Sequence, residues 1–170
     1  MQYEYTGDNQ LSLVYYYDVF GDRLLAGSSY LHEYLNGLKE ETGLTVFVSA
    51  KDEATNALTE TIIEDLWNLG LQTDLIGKRR YSYIAVVSDS EVFELLDENK
   101  AEHSGVVNGM PFYIESAGYD SGNTSSIIVD DIELSTNVRG LNFVVFKNGE
   151  FYESVGFDTH SQEMKVTKTR

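Results

Sequence analysis

The hydrophobic pattern of this chain changes period partway along its length, and that change limits the folds open to it. Before Asn99, stretches of helical spacing alternate with short β-branched runs; after Asn108, only strand-like runs remain. Leu31, Tyr34, Leu35 and Leu38 share one helical face and predict an amphipathic helix over about Ser29 to Glu41, with Gly43 as its stop. Leu44-Thr45-Val46-Phe47-Val48, bounded by Gly43 and the polar run Lys51-Asp52-Glu53, reads as a buried strand. Leu58, Ile62, Leu66 and Leu69 then mark a second helix that Thr59 can cap and Gly70 can end. Tyr81 to Val87 reads as another strand. Ser88 and Glu91 have capping-box spacing, which predicts a short helix through Leu95 and Leu96. The polar stretch from Asn99 to Asn108 reads as a loop or joint.

Five strand-like runs follow: Phe112 to Ser116, Ser126 to Val129, Ile132 to Leu134, Leu141 to Phe146 and Phe151 to Phe157. Asn148-Gly149 is a strong hairpin signal, because both residues tolerate the positive φ of a type I′ turn, and Asp130-Asp131 reads as another turn. No low-complexity linker divides the 170 residues, so residues 1–170 are expected to form one domain of the α+β class. An internal echo adds a detail. If Asp18 is laid on Asp158, Tyr17 falls on Phe157 and Thr6-Gly7-Asp8-Asn9 falls beside the turn Lys147-Asn148-Gly149-Glu150, so the N-terminus looks like a second copy of the last hairpin.

Composition narrows the partners. With 28 acidic against 12 basic residues, the formal charge is −16, which opposes nucleic acid and anionic membrane surfaces. Cysteine is absent, which removes disulfide scaffolds, thiol nucleophiles and cysteine-rich zinc sites. The apolar runs are far shorter than the roughly 20 residues of a membrane span, and the first residues lack the pattern of a signal peptide. No membrane insertion is expected, and the compartment is not legible from targeting. The twelve tyrosines suit sheets and binding surfaces alike.

The segments Val129-Asp130-Asp131-Ile132-Glu133-Leu134, Arg139-Gly140-Leu141-Asn142-Phe143-Val144-Val145, Asn148-Gly149 and Val155-Gly156-Phe157-Asp158-Thr159-His160 together resemble the front half of the interleukin-like EMT inducer (ILEI) domain family. The earlier part is similar to that domain's back half, through Val48-Ser49-Ala50-Lys51-Asp52-Glu53-Ala54, the helix ending in Leu69-Gly70 and the strand opening Arg80-Tyr81-Ser82-Tyr83-Ile84. Residues 1–103 thus resemble the back half and 110–160 the front half, in swapped order, with the back half entered through Tyr17-Asp18-Val19-Phe20-Gly21-Asp22. Circular permutation and a segment spanning two repeats both explain that order. The resemblance implies an ILEI-like fold of two packed, mainly antiparallel β-sheets with flanking short helices, and an extracytoplasmic or cell-surface setting. It also leaves a surplus hairpin that adds a sheet edge or exchanges between chains in a homodimer. The missing cysteines differ from the animal cytokines of the family and suggest a bacterial surface version.

For the stem domain of O-mannose β-1,2-N-acetylglucosaminyltransferase, the resemblance implies non-catalytic binding of a β-linked N-acetylglucosamine unit. Its contacting Asp and Arg fall on Asp52 and Arg80 here, with Arg79 one residue away. A carboxylate accepts from sugar hydroxyls and a guanidinium donates in a fixed fork, while Tyr81 and Tyr83 offer rings for stacking. The plainer reading has Asp52 in a loop, Arg80 paired with a surface carboxylate and the two tyrosines in the core. Arg139, Gly140 and Asn142 form the R-G-x-N signature and read as structural.

Asp158 and His160 form only a weak D-x-H pair, with His32 and His103 elsewhere. Asp18, Asp22, Asp120 and Asn123 lack a twelve-residue calcium pattern, so no metal or other cofactor is expected. Asn123-Thr124-Ser125 matches a glycosylation acceptor, and no phosphate loop, G-x-S-x-G elbow or H-E-x-x-H is present. The expected function is that of a non-catalytic carbohydrate-binding module. The alternative is a protein-interaction, assembly or cytokine-like domain without sugar binding, and an enzyme such as a glycosidase would need two facing carboxylates across a cleft.

Overall fold

A computed structural model describes residues 2–5, 14–17, 23–26, 30–161 and 163–168. Asp18, Asp22, the Thr6-Gly7-Asp8-Asn9 turn and Ser29 lie outside the described residues. The first elements are β1 (Gln2–Tyr5), β2 (Val14–Tyr17), β3 (Arg23–Ala26), α1 (Tyr30–Lys39), β4 (Leu44–Asp52), α2 (Glu60–Asn68) and β5 (Ser82–Ser88). Eight strands follow: β6 (Val92–Asp97), β7 (Ala101–Val107), β8 (Met110–Gly118), β9 (Thr124–Val129), β10 (Ile132–Glu133), β11 (Gly140–Lys147), β12 (Glu150–Asp158) and β13 (Glu163–Lys168). Both helices precede residue 70, and the class is α+β.

The core explains the continuous apolar runs. β4, β5 and β11 are buried on both faces, so alternate residues of each serve two different clusters. On one face Val46, Val48, Tyr83, Leu141, Phe143 and Val145 pack against α1 and α2 through Leu31, Leu35, Ile62 and Leu66. On the other face Phe47, Ile84, Val86, Val144 and Phe146 pack against Phe112, Ile114, Ile127 and Val129 from β8 and β9. The helices therefore cover one side of the sheet and the β7–β10 limb covers the other. Thr59 caps α2, its hydroxyl accepting from the Ile62 N–H at 3.3 Å, and buried Asp65 on α2 accepts from His32 Nδ1 on α1 at 2.6 Å.

Where two packed sheets are expected, the hydrogen bonds run through one curled mixed sheet. β4 is the reason. Thr45 to Ser49 pair antiparallel with β5, and then Lys51 and Asp52 pair parallel with Ala117 and Gly118 of β8, so the strand passes from one limb to the other. Buried serines fill the junction: Ser49 Oγ donates to the Glu115 carbonyl at 2.6 Å, Ser125 Oγ donates to Ser49 Oγ at 2.9 Å, and Ser116 Oγ donates to the Ala50 carbonyl at 2.5 Å.

Two expected elements are overturned. The Ser88–Glu91 spacing serves a turn instead of a helix: Ser88 Oγ accepts from the Ser90 and Glu91 N–H groups, and the chain returns as β6 in register with β5 from Ser82↔Asp97 to Val87↔Val92. The same capping chemistry closes a hairpin here because residues 92–97 find a ladder partner at once. The expected loop from Asn99 to Asn108 is mostly β7, a polar strand paired on one side only among the described residues, and Asn108-Gly109, with φ of 49° and 79°, is its hairpin turn to β8. β13 is an element the sequence did not announce. The Asn148-Gly149 and Asp130-Asp131 turns form as expected, each with positive φ at both residues.

Gly140 shows how tightly the signature strand is held. Its φ is 139°, and a Cβ there would overlap the Phe157 carbonyl oxygen. Asn142, fully buried, accepts from Thr136 Oγ1 at 2.7 Å and Val138 N–H at 2.9 Å, and donates to the Val138 and Ser49 carbonyls. Both residues are structural, as the sequence suggests. Gly140→Ala is expected to cost about 3 kcal/mol or more in urea unfolding, since strain and overlap add; an unchanged midpoint would contradict this packing.

Candidate functional site

Three chain segments meet where β4 ends. Asp52, the last residue of β4, has a φ of 62°, and so has Arg80 just before β5. Two non-glycine residues in the left-handed region at one place is backbone that only the surrounding contacts can hold. The third segment is the 3-10 turn Tyr119–Ser121 after β8. Gly118 is the backbone partner of Asp52 across the parallel bridge, and a Cβ on Gly118 would overlap the Arg80 carbonyl oxygen. Glycine is required there by close approach, since the Gly118 φ of −65° is ordinary.

Glu53 joins these segments. Its carboxylate, on a residue only 8% exposed, accepts from the Arg80 N–H at 2.6 Å, the Thr55 N–H at 2.8 Å and the Thr55 hydroxyl. Its carbonyl meets Thr159 Oγ1 at 2.8 Å and His160 Nε2 at 3.1 Å, which ties in the exit of β12. A buried carboxylate with several donors is satisfied, and it fixes each donor in turn.

The Arg80 guanidinium lies over the Tyr119 ring, 4.4 Å from its centroid, and donates to Asp120 Oδ2 at 3.3 Å. Tyr119 is 53% exposed, so an aromatic side chain is offered to solvent beside a cation. Among the described residues the half-buried Asp52 carboxylate has no hydrogen-bonding partner. Asp52, Arg80 and Tyr119 thus stand on three segments that meet at Gly118, and between them carry acceptor oxygens, a planar donor fork and a ring. Arg79 is exposed and takes no part.

The structure thus gathers Asp52 and Arg80 and separates them from the two expected tyrosines. Tyr83 is corrected to a core residue: it is 2% exposed on the helix side of the sheet, and its hydroxyl donates to Glu94 at 2.7 Å. Burial, reinforced by Glu94, pushes its phenol well above the usual value. Tyr81 stays half-buried beside Lys78 and donates to Glu98 at 2.6 Å, a bond that raises its phenol. Tyr119 was missed because an isolated ring after a glycine carries no pattern; only the approach of Gly118 to Arg80 gives it a neighbour. Two clefts among the described residues, of about 140 and 290 Å³, include neither Asp52 nor Arg80.

The other candidates have structural partners. Asp158 Oδ1 accepts from the His160 N–H at 2.8 Å and the Ser161 N–H at 3.0 Å, and Arg139 pairs with both carboxylate oxygens. The His103 ring stacks on Phe93 with centroids 3.9 Å apart. Asp120 faces Arg80, and the sequon residue Ser125 is buried. Compared with family models, with curated proteins and with solved structures, the chain matches none.

Burial alone would raise the Asp158 carboxyl, but the Ser161 and His160 N–H groups and Arg139 together hold it below its ordinary 3.8. A depressed folded-state pKa contributes stability above the unfolded value and loses it as pH falls through the folded one. Wild type is therefore expected to exceed Asp158→Asn in thermal stability at pH 7, with the gap closing below pH 3.8. A gap independent of pH, followed by calorimetry, would contradict this assignment.

Proposed function

We propose that the chain is a non-catalytic carbohydrate-binding module of ILEI-like kind at a cell surface, recognising a glycan that contains β-linked N-acetylglucosamine. The observation that carries the reading is the cluster of Asp52, Arg80 and exposed Tyr119 held on strained backbone around Gly118. Sugar hydroxyls need fixed acceptors and donors, and the apolar face of a pyranose needs a ring; Tyr119 takes the stacking role first given to Tyr81 and Tyr83. An open surface suits weak binding of an uncharged glycan, against which the −16 charge does not act.

The swapped order of the halves has a geometric support. Asp158 at the end of β12 is the lateral neighbour of Glu163 in β13, which is the neighbour of Ala26 in β3. The end of the front half thus stands two strand spacings, about 10 Å, from the strand that leads into α1. A direct connection from one to the other, as in the family's order, spans a short distance. No helix among the described residues is long and apolar enough to cross a membrane.

Calorimetric titration with methyl β-N-acetylglucosaminide and its oligomers is the test. Saturable binding is expected, weakened at least tenfold by Tyr119→Ala and by Asp52→Asn, the latter chosen because Asn tolerates the left-handed φ. Absence of binding across a broad glycan panel, or binding unchanged in both variants, would overturn the reading.

A further inference from the structure

The strands β1, β2 and β3 repeat β11, β12 and β13 at one constant spacing. Adding 140 to Gln2–Tyr5 gives positions inside Gly140–Lys147, adding it to Val14–Tyr17 gives positions inside Glu150–Asp158, and adding it to Arg23–Ala26 gives positions inside Glu163–Lys168. The residue types agree with the burial of the second set. Phe143, Val145, Val155, Phe157, Met164 and Val166 all belong to the core under the helices. Their equivalents are Tyr3, Tyr5, Tyr15, Tyr17, Leu24 and Ala26, each apolar or aromatic. Asn142, whose amide donates to the Ser49 carbonyl of β4, is matched by Gln2, an amide for an amide.

The sheet order carries the argument further. Outward from β4 the strands run β11, β12, β13, β3, β2, β1, so the two sets are arranged as mirror images in order. The outer edge of β1 corresponds to the edge by which β11 pairs with Leu44–Lys51 of β4. Among the described residues β1 is hydrogen-bonded to β2 alone, and its own β4 is six strands away. Both ladders of the first set are one residue off that equivalence: Tyr3 pairs with Tyr16 where Phe143↔Val155 would give Tyr15, and Tyr15 pairs with Leu25 where Val155↔Val166 would give Ala26. The spacing of 140 therefore holds in sequence and in strand order, while the ladders of the first set, which do not lie beside β4, keep a register of their own.

We propose that β1 is an assembly edge, and that the β1–β3 set takes the place of β11–β13 beside β4 in a second copy of this chain. An unprotected edge with the residue pattern of a strand that already fits that place is a specific template for such pairing. The proposal does not rest on the sugar reading, since neither Asp52, Arg80 nor Tyr119 belongs to either set.

The absence of cysteine makes the test clean. A mixture of a Tyr3→Cys chain and a Val48→Cys chain is warmed to its melting midpoint, cooled and oxidised. Phe143, the equivalent of Tyr3, is the register partner of Val48, so a disulfide-linked heterodimer is expected. Recovery of only unlinked or self-linked chains would overturn the proposal. In a second measurement, Phe143→Asp with Val145→Asp blocks the chain's own β11. The variant is expected to keep its β-sheet circular dichroism and to scatter light as a dimer or larger. An unfolded chain would show that the first set cannot replace the second, and a folded monomer would show that it does so within one chain; either result overturns the assembly edge.

Discussion

The buried Glu53 carboxylate is the contact on which the arrangement at the end of β4 depends. It stands one residue past the point where β4 stops pairing with anything but β8, and it gathers the N–H of Arg80 and both donors of Thr55. Without such an acceptor, the half-buried N–H groups of two tight turns would lose their partner, at a cost of roughly 1 kcal/mol each. With it, Asp52 and Arg80 are kept in the left-handed region that residues other than glycine seldom occupy, and the Arg80 carbonyl is held against Gly118. The backbone carbonyl of the same residue receives Thr159 and His160, so the front and back parts of the chain meet at one residue.

β4 is the matching constraint at the scale of the fold. It is the strand that pairs with β11 and β5 along most of its length and then passes to β8 at Lys51 and Asp52. That passage lets a single sheet enclose a second core around Phe47 while the helices cover the first. The polar residues that make it possible are small and buried: Ser49, Ser116 and Ser125 bond to one another or to backbone across the seam. Larger polar side chains would leave unfilled hydrogen bonds, and apolar ones would leave backbone carbonyls without donors.

Much of the fold was legible because its strongest signals are local. The helix faces of Leu31 to Leu38 and Leu58 to Leu69, the Thr59 cap and the Asn148-Gly149 turn all work through near neighbours in sequence. The failures lie where one local signal serves two structures. Ser88 and Glu91 can open a helix or close a hairpin, and the β5 ladder decides. Residues 101–107 are too polar to announce a strand, because an edge strand with one partner needs few apolar side chains. The site was half legible. Asp52 and Arg80 came from resemblance, and their meeting is a tertiary fact; Tyr119 has no sequence signal, and Tyr83 differs from Tyr81 only by lying inside the ladder that buries it.

The central claim is that Glu53 holds the site's backbone, and amide hydrogen exchange in Glu53→Ala measures it most directly. Exchange at Thr55 and Arg80, whose N–H groups Glu53 accepts, is expected to accelerate at least tenfold, while the amides of Val46 to Val48 in the middle of β4 keep their protection. Unchanged exchange at Thr55 and Arg80 would contradict the account.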